Sequence, residues 1–300
     1  MPADVLPLSV AIPTIGRLAT LRQCLESLAA CEPGAAEILV VDQSRDPAVA
    51  HLVAEFAPAR ARHVPCTGRG PATGRNTALR ETQHEFVAMT DDDCTVAADW
   101  VETAWRLMSS DAERIVTGRV LPVGDPRAVP STNEGETPRD FTGEPRADAL
   151  FSNNMVLNRS LTLAEGGFDE RFGPEIGAED NDLCYRWLKA GRRLHFEPAL
   201  VVWHHDWRTP EELERVYLRY MRGEGFLYAK HLREGDLRIL RYVGRDLVWA
   251  LRGFAAAVVK RRPRWTDPRR AIVRGLPSGL WLGWHVFWRR RPRGAERPVA

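Results

Sequence analysis

The chain has 300 residues, 44% of them hydrophobic, which is sufficient for one large or two modest folded domains. Its five cysteines are odd in number and include no C-x-x-C pair, which argues against a zinc or disulfide framework and favours a reducing compartment. Residues 1–7 lack the features of a signal peptide, and no run of about 18 uncharged apolar residues predicts a transmembrane helix.

The net charge of +2 is unevenly distributed. From Leu237 to the end there are 16 Arg or Lys residues and 3 Asp or Glu residues, so this region carries +13 and residues 1–236 carry −11. An acidic body joined to a basic tail suggests two tasks, catalysis in the first part and attachment to an anionic partner in the second.

The first part of the chain alternates apolar runs with segments of helical periodicity. Continuous apolar runs predict strands, and leucines that recur every three or four residues predict helices. The expected strands are 9–12, 37–42, 61–65 and 86–90, and the expected helices are 18–30, 47–56 and 73–82. This alternation is typical of a mostly parallel sheet with helices on both faces.

Polar residues follow three of these strands directly. Pro13 and Thr14 follow the first strand, Asp42 ends the second, and the run 91–93 follows the fourth. In open α/β sheets, ligands bind beyond the carboxyl ends of the strands. We therefore expect these three strand ends to line one crevice.

The run Asp91-Asp92-Asp93 is the strongest single signal. Three adjacent carboxylates repel one another, and little water screens them at the end of a buried strand. An Mg²⁺ or Mn²⁺ ion that also binds substrate phosphates would relieve this repulsion. The alternative is that Asp93 or Thr95 caps the helix expected at 97–109, but one cap explains only one of the three carboxylates.

The middle of the chain is less regular. Residues 118–146 are rich in proline, glycine and charge and are expected to contain a long loop, after which 151–163 resume regular structure. Glu179 and Asp180 lie at the predicted start of a helix that ends near Gly191, where their structural role would be capping.

Two strand-like runs, 194–198 and 200–203, precede His204, His205 and Asp206. A histidine directly after an apolar strand is more often structural than functional. The spacing alone does not decide between these roles.

The last third is predicted to be helical and basic. Thr209-Pro210-Glu211-Glu212 is a capping box for a helix that reaches about Leu232. The helix expected at 237–259 has an apolar stripe opposite an arginine stripe, and 275–288 is rich in glycine and tryptophan between arginines. These features favour an anionic bilayer surface; packing against the rest of the protein and binding of nucleic acid are the alternatives.

Six short motifs follow one another along the chain. They are Val41-Asp42, Gly74-Arg75-Asn76, Asp91-Asp92-Asp93, Gly167-Phe168-Asp169-Glu170, Glu179-Asp180-Asn181-Asp182-Leu183 and Trp203-His204. In this order they make residues 8–206 resemble the family 2 glycosyltransferases, which are inverting enzymes. The resemblance implies an α/β fold of the GT-A type, in which helices flank a mostly parallel nucleotide-binding sheet, here with a C-terminal helical extension.

The resemblance implies a donor-binding role for several positions. Pro13, Thr14 and Asp42 correspond to a nucleobase pocket in which Asp42 accepts a hydrogen bond from a base N–H. Arg75 corresponds to a contact with the base or the diphosphate, and its structural alternative is a loop salt bridge. Residues 42–44 depart from the commoner run of acids and glycine, so the nucleobase stays open.

The same resemblance implies a metal site. Asp91, Asp92 and Asp93 match the D-x-D element of the family, in which Asp93, together with Asp91, ligates the metal, while Asp91 and Asp92 approach the sugar or ribose. His204 matches a histidine that completes the metal shell or contacts the diphosphate.

Asp180 matches the catalytic base of the family, and Glu179 a residue that binds the acceptor. Inverting transfer needs a carboxylate on the face opposite the leaving diphosphate, where it deprotonates the acceptor hydroxyl. The metal neutralises the charge that develops on the diphosphate.

The sequence thus predicts an inverting glycosyltransferase that uses a nucleotide-diphosphate sugar, Mg²⁺ or Mn²⁺ and a glycan or lipid-linked acceptor. The expected catalytic domain is 1–208, with nucleotide-sugar and acceptor parts at about 1–120 and 121–208, and the basic helical extension is 209–300. The expected location is cytoplasmic, at the inner membrane face. A metal-dependent nucleotidyltransferase and a non-catalytic nucleotide- or anion-binding module are the alternatives, since P-loop and dinucleotide fingerprints are missing.

Overall fold

A computed structural model describes residues 5–126, 128–205, 208–260 and 269–288. Asp206 and the arginines at 289–291 lie outside the described residues. The chain divides into two compact units: the first contains Met1–Pro174 and Glu179–Arg208, and the second contains Glu175–Ala178 and Thr209–Ala300.

Strands and helices alternate through the first 90 residues, as the sequence predicts. The strands are β1 (Val5–Thr14), β2 (Gly34–Asp42), β3 (Ala61–Pro65) and β4 (Phe86–Thr90), and the helices are α1 (Leu18–Ala29), α2 (Pro47–Glu55) and α3 (Pro71–Glu81). The four strands pair in parallel in the order β3-β2-β1-β4. β1 is longer than the run 9–12 because Val5 and Leu6 also pair with the start of β2.

The rest of the first unit extends this sheet. Its strands are β5 (Cys94–Val96), β6 (Arg114–Val123), β7 (Arg139–Phe141), β8 (Asn154–Asn158) and β9 (Arg193–His205), and its helices are α4 (Trp100–Ser110), α5 (Arg159–Ala164) and α6 (Glu179–Lys189). Among the described residues the strand order is β3-β2-β1-β4-β8-β6-β9-β5, with β7 paired to β9. β8 runs antiparallel to β4 and β6, and β6 is parallel to β9. The α/β fold class is therefore confirmed.

The middle of the chain differs from the prediction in two places. β6 continues through Gly118 to Val123 because residues 119–123 pair with 201–205 of β9, so the irregular segment begins later than expected. The two runs expected at 194–198 and 200–203 form one strand, whose pairing with β6 shifts register just after Gly118. A Cβ at Gly118 would overlap the carbonyl oxygen of Leu200, so a glycine allows this close approach of the strands.

Two apolar cores explain why the central strands are largely apolar. Neighbouring residues of a strand point to opposite faces of the sheet, so a sheet covered on both sides buries all of them. One core includes Val10, Ile12, Leu25 and Trp100, and the other includes Leu39, Met89, Leu79 and Trp187. Thr14 and Asp42 lie at the strand ends, while Ser9 and Glu37 are polar exceptions inside β1 and β2 that are buried and hydrogen-bonded to each other at 2.6 Å.

The second unit is helical. It contains α7 (Pro210–Arg233), a 3-10 turn at Leu237–Ile239, α8 (Leu240–Lys260) and α9 (Arg269–Trp288). The predicted capping box is present: the Thr209 side chain accepts from the Glu212 N–H, and the Glu212 carboxylate accepts from the Thr209 N–H. Within the described residues, none of the helices combines the length and hydropathy needed to cross a bilayer.

Glycines on one side of α9 allow it to pack closely on α7. A Cβ at Gly275, Gly279 or Gly283 would collide with atoms of α7, most severely at Gly279, where it would overlap the carbonyl oxygen of Arg222. Small residues at four-residue spacing on a helix let two backbones approach, and they explain the glycine-rich composition of this segment.

Candidate active site

The ends of β1 and β2 lie side by side. Pro13 and Thr14 are opposite Val41 and Asp42 in the parallel pair, and the Gln43 N–H donates to the Thr14 carbonyl at 3.0 Å. Two of the three strand ends expected to line a crevice are therefore adjacent. β4 follows on the other side of β1.

Asp42 is buried, and both of its carboxylate oxygens are hydrogen-bonded. Oδ1 accepts from the backbone N–H and the hydroxyl of Ser44, at 2.8 and 2.6 Å, and Oδ2 lies 3.0 Å from His63 Nε2. Burial raises the pKa of Asp42, but the hydrogen bonds from Ser44 and His63 outweigh it, so the pKa is below its ordinary value. His63 is a neighbour that the sequence did not indicate.

The turn after β4 brings Asp93 to His204. β5 pairs with β9 so that Cys94 lies opposite His204, and Asp93 Oδ1 is 3.5 Å from His204 Nε2, with both side chains buried. Atoms of Asp93, Cys94 and His204 that could ligate a metal ion all lie within 4.8 Å of one another. His204 Nδ1 is buried and has no hydrogen-bond partner among the described residues. The next residue, His205, is instead hydrogen-bonded to Thr95 at 2.9 Å.

Cys94 is the least suitable member of this group for a hard cation. Burial raises the pKa of its thiol well above the ordinary value, so the thiol is protonated at neutral pH. Mg²⁺ and similar ions prefer oxygen donors. Asp93 and His204 are the better ligand candidates.

Two arginines that the sequence reading did not select contact the buried carboxylates. Arg17 Nη2 contacts Asp92 Oδ1 and lies 3.5 Å from Asp93 Oδ2. Arg208 Nη2 donates to Asp93 Oδ2 at 3.0 Å, and its Nη1 is 3.4 Å from His204 Nε2. The sequence offers only a weak signal for them, namely that each follows the polar end of a strand by three or four residues.

Asp92 and Asp93 have opposite pKa shifts. Burial raises the pKa of Asp92 to about 6, because the desolvation exceeds the stabilising effect of Arg17. Burial also acts on Asp93, but its hydrogen bond to His204 and the charges of His204, Arg17 and Arg208 outweigh it, so the pKa of Asp93 lies well below its ordinary value. Asp93 is thus the carboxylate that is held ionised.

Thr14 and Asp92 connect two of the strand ends. The Thr14 hydroxyl donates to Asp92 Oδ2 at 2.5 Å, and the backbone N–H of Gly16 donates back to the Thr14 hydroxyl at 3.0 Å. Asp92 therefore accepts bonds on both of its oxygens and is completely buried. This geometry links the end of β1 to the turn that carries Asp93.

Arg75 connects the end of β4 to the start of α6. This buried guanidinium contacts Glu179 Oε1 and donates to Asp91 Oδ1 at 3.2 Å. Burial lowers the pKa of Arg75, but the negative charges of Glu179 and Asp91 raise it by more, and the pKa lies above its ordinary value. The salt bridge that the sequence offered as an alternative for Arg75 is thus present, and Asp91 lies in this cluster rather than in the group of Asp93 and His204.

Asp180 lies in the first turn of α6, next to Glu179. Its Oδ2 accepts from the Ser152 hydroxyl at 2.7 Å, and its Oδ1 accepts from the Asn181 backbone N–H at 2.9 Å. Unlike Glu179, which is buried, Asp180 is partly exposed. Asp180 therefore combines a fixed orientation with access to solvent.

Two of the sequence motifs meet through Asn76. Its side-chain amide donates to the Phe168 carbonyl at 2.8 Å and accepts from the Phe168 N–H at 2.9 Å. Gly167 has a φ of +62°, and a Cβ there would lie 2.7 Å from the Asn76 Oδ1. The motifs Gly74-Arg75-Asn76 and Gly167-Phe168-Asp169-Glu170 are therefore held together by the two hydrogen bonds between Asn76 and Phe168, next to Arg75.

These features define an α/β domain with a carboxylate-rich site at the ends of its strands. The model of Glycosyl transferase family 2 matches residues 9–160, which is just over half of the chain, and the chain belongs to this family. The match includes the strand ends that carry Asp42 and Asp91 to Asp93.

Two curated relatives are similar in sequence. The pre-mycofactocin glycosyltransferase of Mycobacterium tuberculosis is 32% identical over 149 residues, which cover 47% of this chain and 31% of that protein. The chain thus spans about a third of the length of that relative. The succinoglycan biosynthesis protein ExoM of Rhizobium meliloti is 26% identical over 216 residues, which cover 69% of this chain and 68% of that protein.

The fold is similar to that of the mannosyltransferase PcManGT from Pyrobaculum calidifontis, a structure solved in complex with GDP-Man and Mn²⁺. The TM-score is 0.63, the identity is 19%, and the match covers 94% of this chain and 91% of that chain. At this identity the likeness shows the fold alone, which is the GT-A fold that the motifs implied.

Proposed function

We propose that this chain is an inverting, metal-dependent glycosyltransferase that moves a sugar from a nucleotide-diphosphate donor to an acceptor hydroxyl. Family membership supports sugar transfer. The observation that carries the rest is the contact of Arg75 with both Glu179 and Asp91. It brings a helix start that carries a candidate base next to a strand end that carries candidate metal ligands.

The residues present fit Mg²⁺ or Mn²⁺. The low pKa of Asp93 supports an ionised oxygen ligand, and His204 Nε2 lies 3.5 Å from Asp93 Oδ1, a separation that suits two ligands of one ion. In this proposal Asp93 and His204 hold the ion, Asp91 is a further candidate ligand, and phosphate oxygens fill other positions. Bound there, the ion would supply stabilisation of the negative charge on the leaving diphosphate.

The nucleotide contacts follow the strand ends. Pro13, Thr14 and Asp42 are assigned to the nucleobase pocket and Arg75 to the diphosphate. Asp92, which is completely buried and bonded to Thr14 and Arg17, is assigned to the sugar or ribose side, where it positions those two residues. Asp42 already accepts three hydrogen bonds from Ser44 and His63. An ionised carboxylate offers about four acceptor positions, so one is left for a base N–H.

Asp180 is assigned as the base that takes the proton from the acceptor hydroxyl. Its two hydrogen bonds, to Ser152 and to its neighbour's N–H, fix its orientation while leaving it partly exposed. A base opposite the departing diphosphate produces inversion at the anomeric carbon. Glu179, which is buried against Arg75, is assigned as an acceptor-side residue that keeps α6 in place.

A screen of UDP- and GDP-sugars tests this function. The expected result is release of a nucleoside diphosphate that depends on Mn²⁺ or Mg²⁺, followed by a transfer product whose anomeric configuration by NMR is opposite to that of the donor. Release of pyrophosphate would instead support a nucleotidyltransferase. Failure to bind any nucleotide in the presence of metal would support a non-catalytic anion-binding module.

We also propose that the second unit binds an anionic membrane. On α8, the apolar residues Leu240, Leu247 and Leu251 are exposed, and exposed arginines flank them, among them Arg241 and Arg245. Apolar residues beside arginines suit the interface of a bilayer with anionic lipids.

α9 has a second exposed apolar face. Val273, Trp281 and Trp284 are 65%, 63% and 53% exposed, and tryptophan favours the membrane–water interface. A second copy of the chain is a poorer occupant for these faces, because the region from Leu237 carries +13 and two copies would repel each other.

The double substitution of Trp281 and Trp284 with serine tests this surface. We expect the wild type to co-sediment with vesicles containing anionic lipid, less so at high salt, and the variant to bind several-fold more weakly. Leu18→Ser, which removes an exposed apolar residue of the first unit, is the control. Wild-type protein that stays in the supernatant at low salt would contradict the proposal.

The remaining proposals concern the division of the chain into functional parts, its location and its acceptor. A nucleotide-sugar part at about 1–120, an acceptor part at about 121–208 and a membrane-binding extension at 209–300 are proposed. A cytoplasmic location is supported by the five cysteines, which are all free and buried. A surface that binds the inner membrane face would favour a lipid-linked glycan acceptor, and the name of ExoM, a succinoglycan biosynthesis protein, supports a glycan product.

A further inference from the structure

Arg208 lies where a cation held by Asp93 and His204 would have to bind. Its Nη2 donates to Asp93 Oδ2 at 3.0 Å, and its Nη1 is 3.4 Å from His204 Nε2. One guanidinium thus contacts both residues that are proposed to hold the metal. Its side chain is only 10% exposed, so water screens this contact weakly.

A divalent cation at Asp93 would meet this guanidinium at close range. Like charges at such distances in a poorly solvated site repel strongly, and His204 Nε2 cannot contact both the ion and Arg208 Nη1. The metal and the guanidinium therefore compete for the same carboxylate. Either the metal binds weakly or Arg208 leaves.

Arg17 is the less suitable residue to leave. It is paired with Asp92, which is completely buried, and its departure would leave that carboxylate with the Thr14 hydroxyl but without this cation. Arg208 contacts Asp93 and His204, and each would gain a metal bond in exchange for the contact that it loses. The exchange therefore leaves neither of these two residues without a partner.

We propose, resting on the function above, that Arg208 is an exchange residue. Its guanidinium contacts Asp93 and His204 in the nucleotide-free chain, and it moves to the phosphates of the donor when the metal binds. A diphosphate is the natural recipient because its oxygens match the planar fork of a guanidinium. Metal and diphosphate then favour each other's binding, and this coupling is reciprocal.

The test measures binding, not turnover. Mn²⁺ alone is titrated into wild type and Arg208→Gln, and the free ion is followed by electron paramagnetic resonance. We expect Arg208→Gln to bind Mn²⁺ at least tenfold more tightly. Inorganic pyrophosphate titrated by calorimetry at saturating Mn²⁺ should bind Arg208→Gln at least tenfold more weakly.

Two controls separate the exchange from a general effect of charge. Arg22→Gln removes an exposed arginine that is paired with Glu55, and both affinities should remain at wild-type values. Arg208→Lys keeps the charge and should bind Mn²⁺ alone as weakly as wild type. Thermal unfolding checks that each variant is folded.

The results distinguish this proposal from the metal site on which it rests. If wild type binds Mn²⁺ and Asp93→Asn does not, but Arg208→Gln has the same Mn²⁺ and pyrophosphate affinities as Arg22→Gln, the exchange is wrong and the metal site stands. If Asp93→Asn binds Mn²⁺ as wild type does, or if no variant binds it, the metal assignment is wrong and the exchange fails with it.

Discussion

Replacement of Arg75 with methionine should destabilise the first unit strongly. The guanidinium is buried and contacts Glu179, which is also buried, as well as Asp91. Methionine keeps much of the apolar volume but leaves the Glu179 carboxylate without this cation. Breaking a buried ion pair by removing one partner costs about 3–5 kcal/mol.

Equilibrium urea unfolding followed by tryptophan fluorescence measures this loss, because Trp100 and Trp187 are both buried in the first unit. With an m value of about 2.5 kcal/mol/M, the urea midpoint should fall by about 1–2 M. Arg22→Met is the matched control: it removes an exposed arginine paired with Glu55 and should leave the midpoint unchanged.

The double variant Arg75→Met/Glu179→Gln identifies the cause. If the loss arises from the stranded carboxylate, removing its charge should recover part of the stability that Arg75→Met lost. A single variant within about 1 kcal/mol of wild type, far below the expected 3–5 kcal/mol, would refute the reasoning. So would a double variant no more stable than the single one.

Two further predictions concern the base and the second unit. Asp180→Asn should bind the nucleoside diphosphate as wild type does but lower turnover by about 10²–10⁴-fold, because the amide cannot take a proton. Its oxygen can still accept from the Asn181 N–H, and its NH2 can donate to the Ser152 hydroxyl. Steady-state kinetics and calorimetry measure the two effects, and activity within a few-fold of wild type would make Asp180 a cap. Gly279→Ala should lower the free energy of unfolding by about 1–3 kcal/mol, because its Cβ would overlap the Arg222 carbonyl. Gly244→Ala is its control: apart from its chain neighbours and its own helix backbone, no atom of the described residues lies within 4 Å of the new Cβ, and the helix should be stabilised by up to about 1 kcal/mol. Equal effects of the two alanines would contradict the close packing of α9 on α7.

The elements that sequence patterns predict best are those whose environment is uniform along their length. The strands 61–65 and 86–90 have the same bounds in the structure. β4 is covered on both faces, which makes its sequence apolar up to Thr90. The second half of β6 was harder to predict, because Gly118 reads as a loop residue and is in fact needed for the close approach of Leu200.

Site residues could be predicted where an unusual run of residues follows a strand. They could not be predicted where two residues that are far apart in the sequence contact each other. Asp91, Asp92 and Asp93 are visible as three adjacent carboxylates. Arg208, in contrast, contacts Asp93, which lies 115 residues earlier in the sequence, and no local sequence pattern predicts such a pair. The contacts of Arg17 are equally long-range in sequence, and only the folded chain shows that both arginines lie beside Asp93.

The central claim is that Asp93 holds a metal ion that a nucleoside diphosphate shares. Calorimetric titration of UDP and GDP into wild type, with and without Mn²⁺, tests it most directly when repeated with Asp93→Asn and with Asp140→Asn, an exposed aspartate paired with His195. We predict that one of the two nucleotides binds wild type and Asp140→Asn only with Mn²⁺, and that Asp93→Asn loses this binding at least 100-fold while its far-UV circular dichroism is unchanged. Wild-type affinity of Asp93→Asn for the nucleotide in the presence of Mn²⁺ would contradict the account.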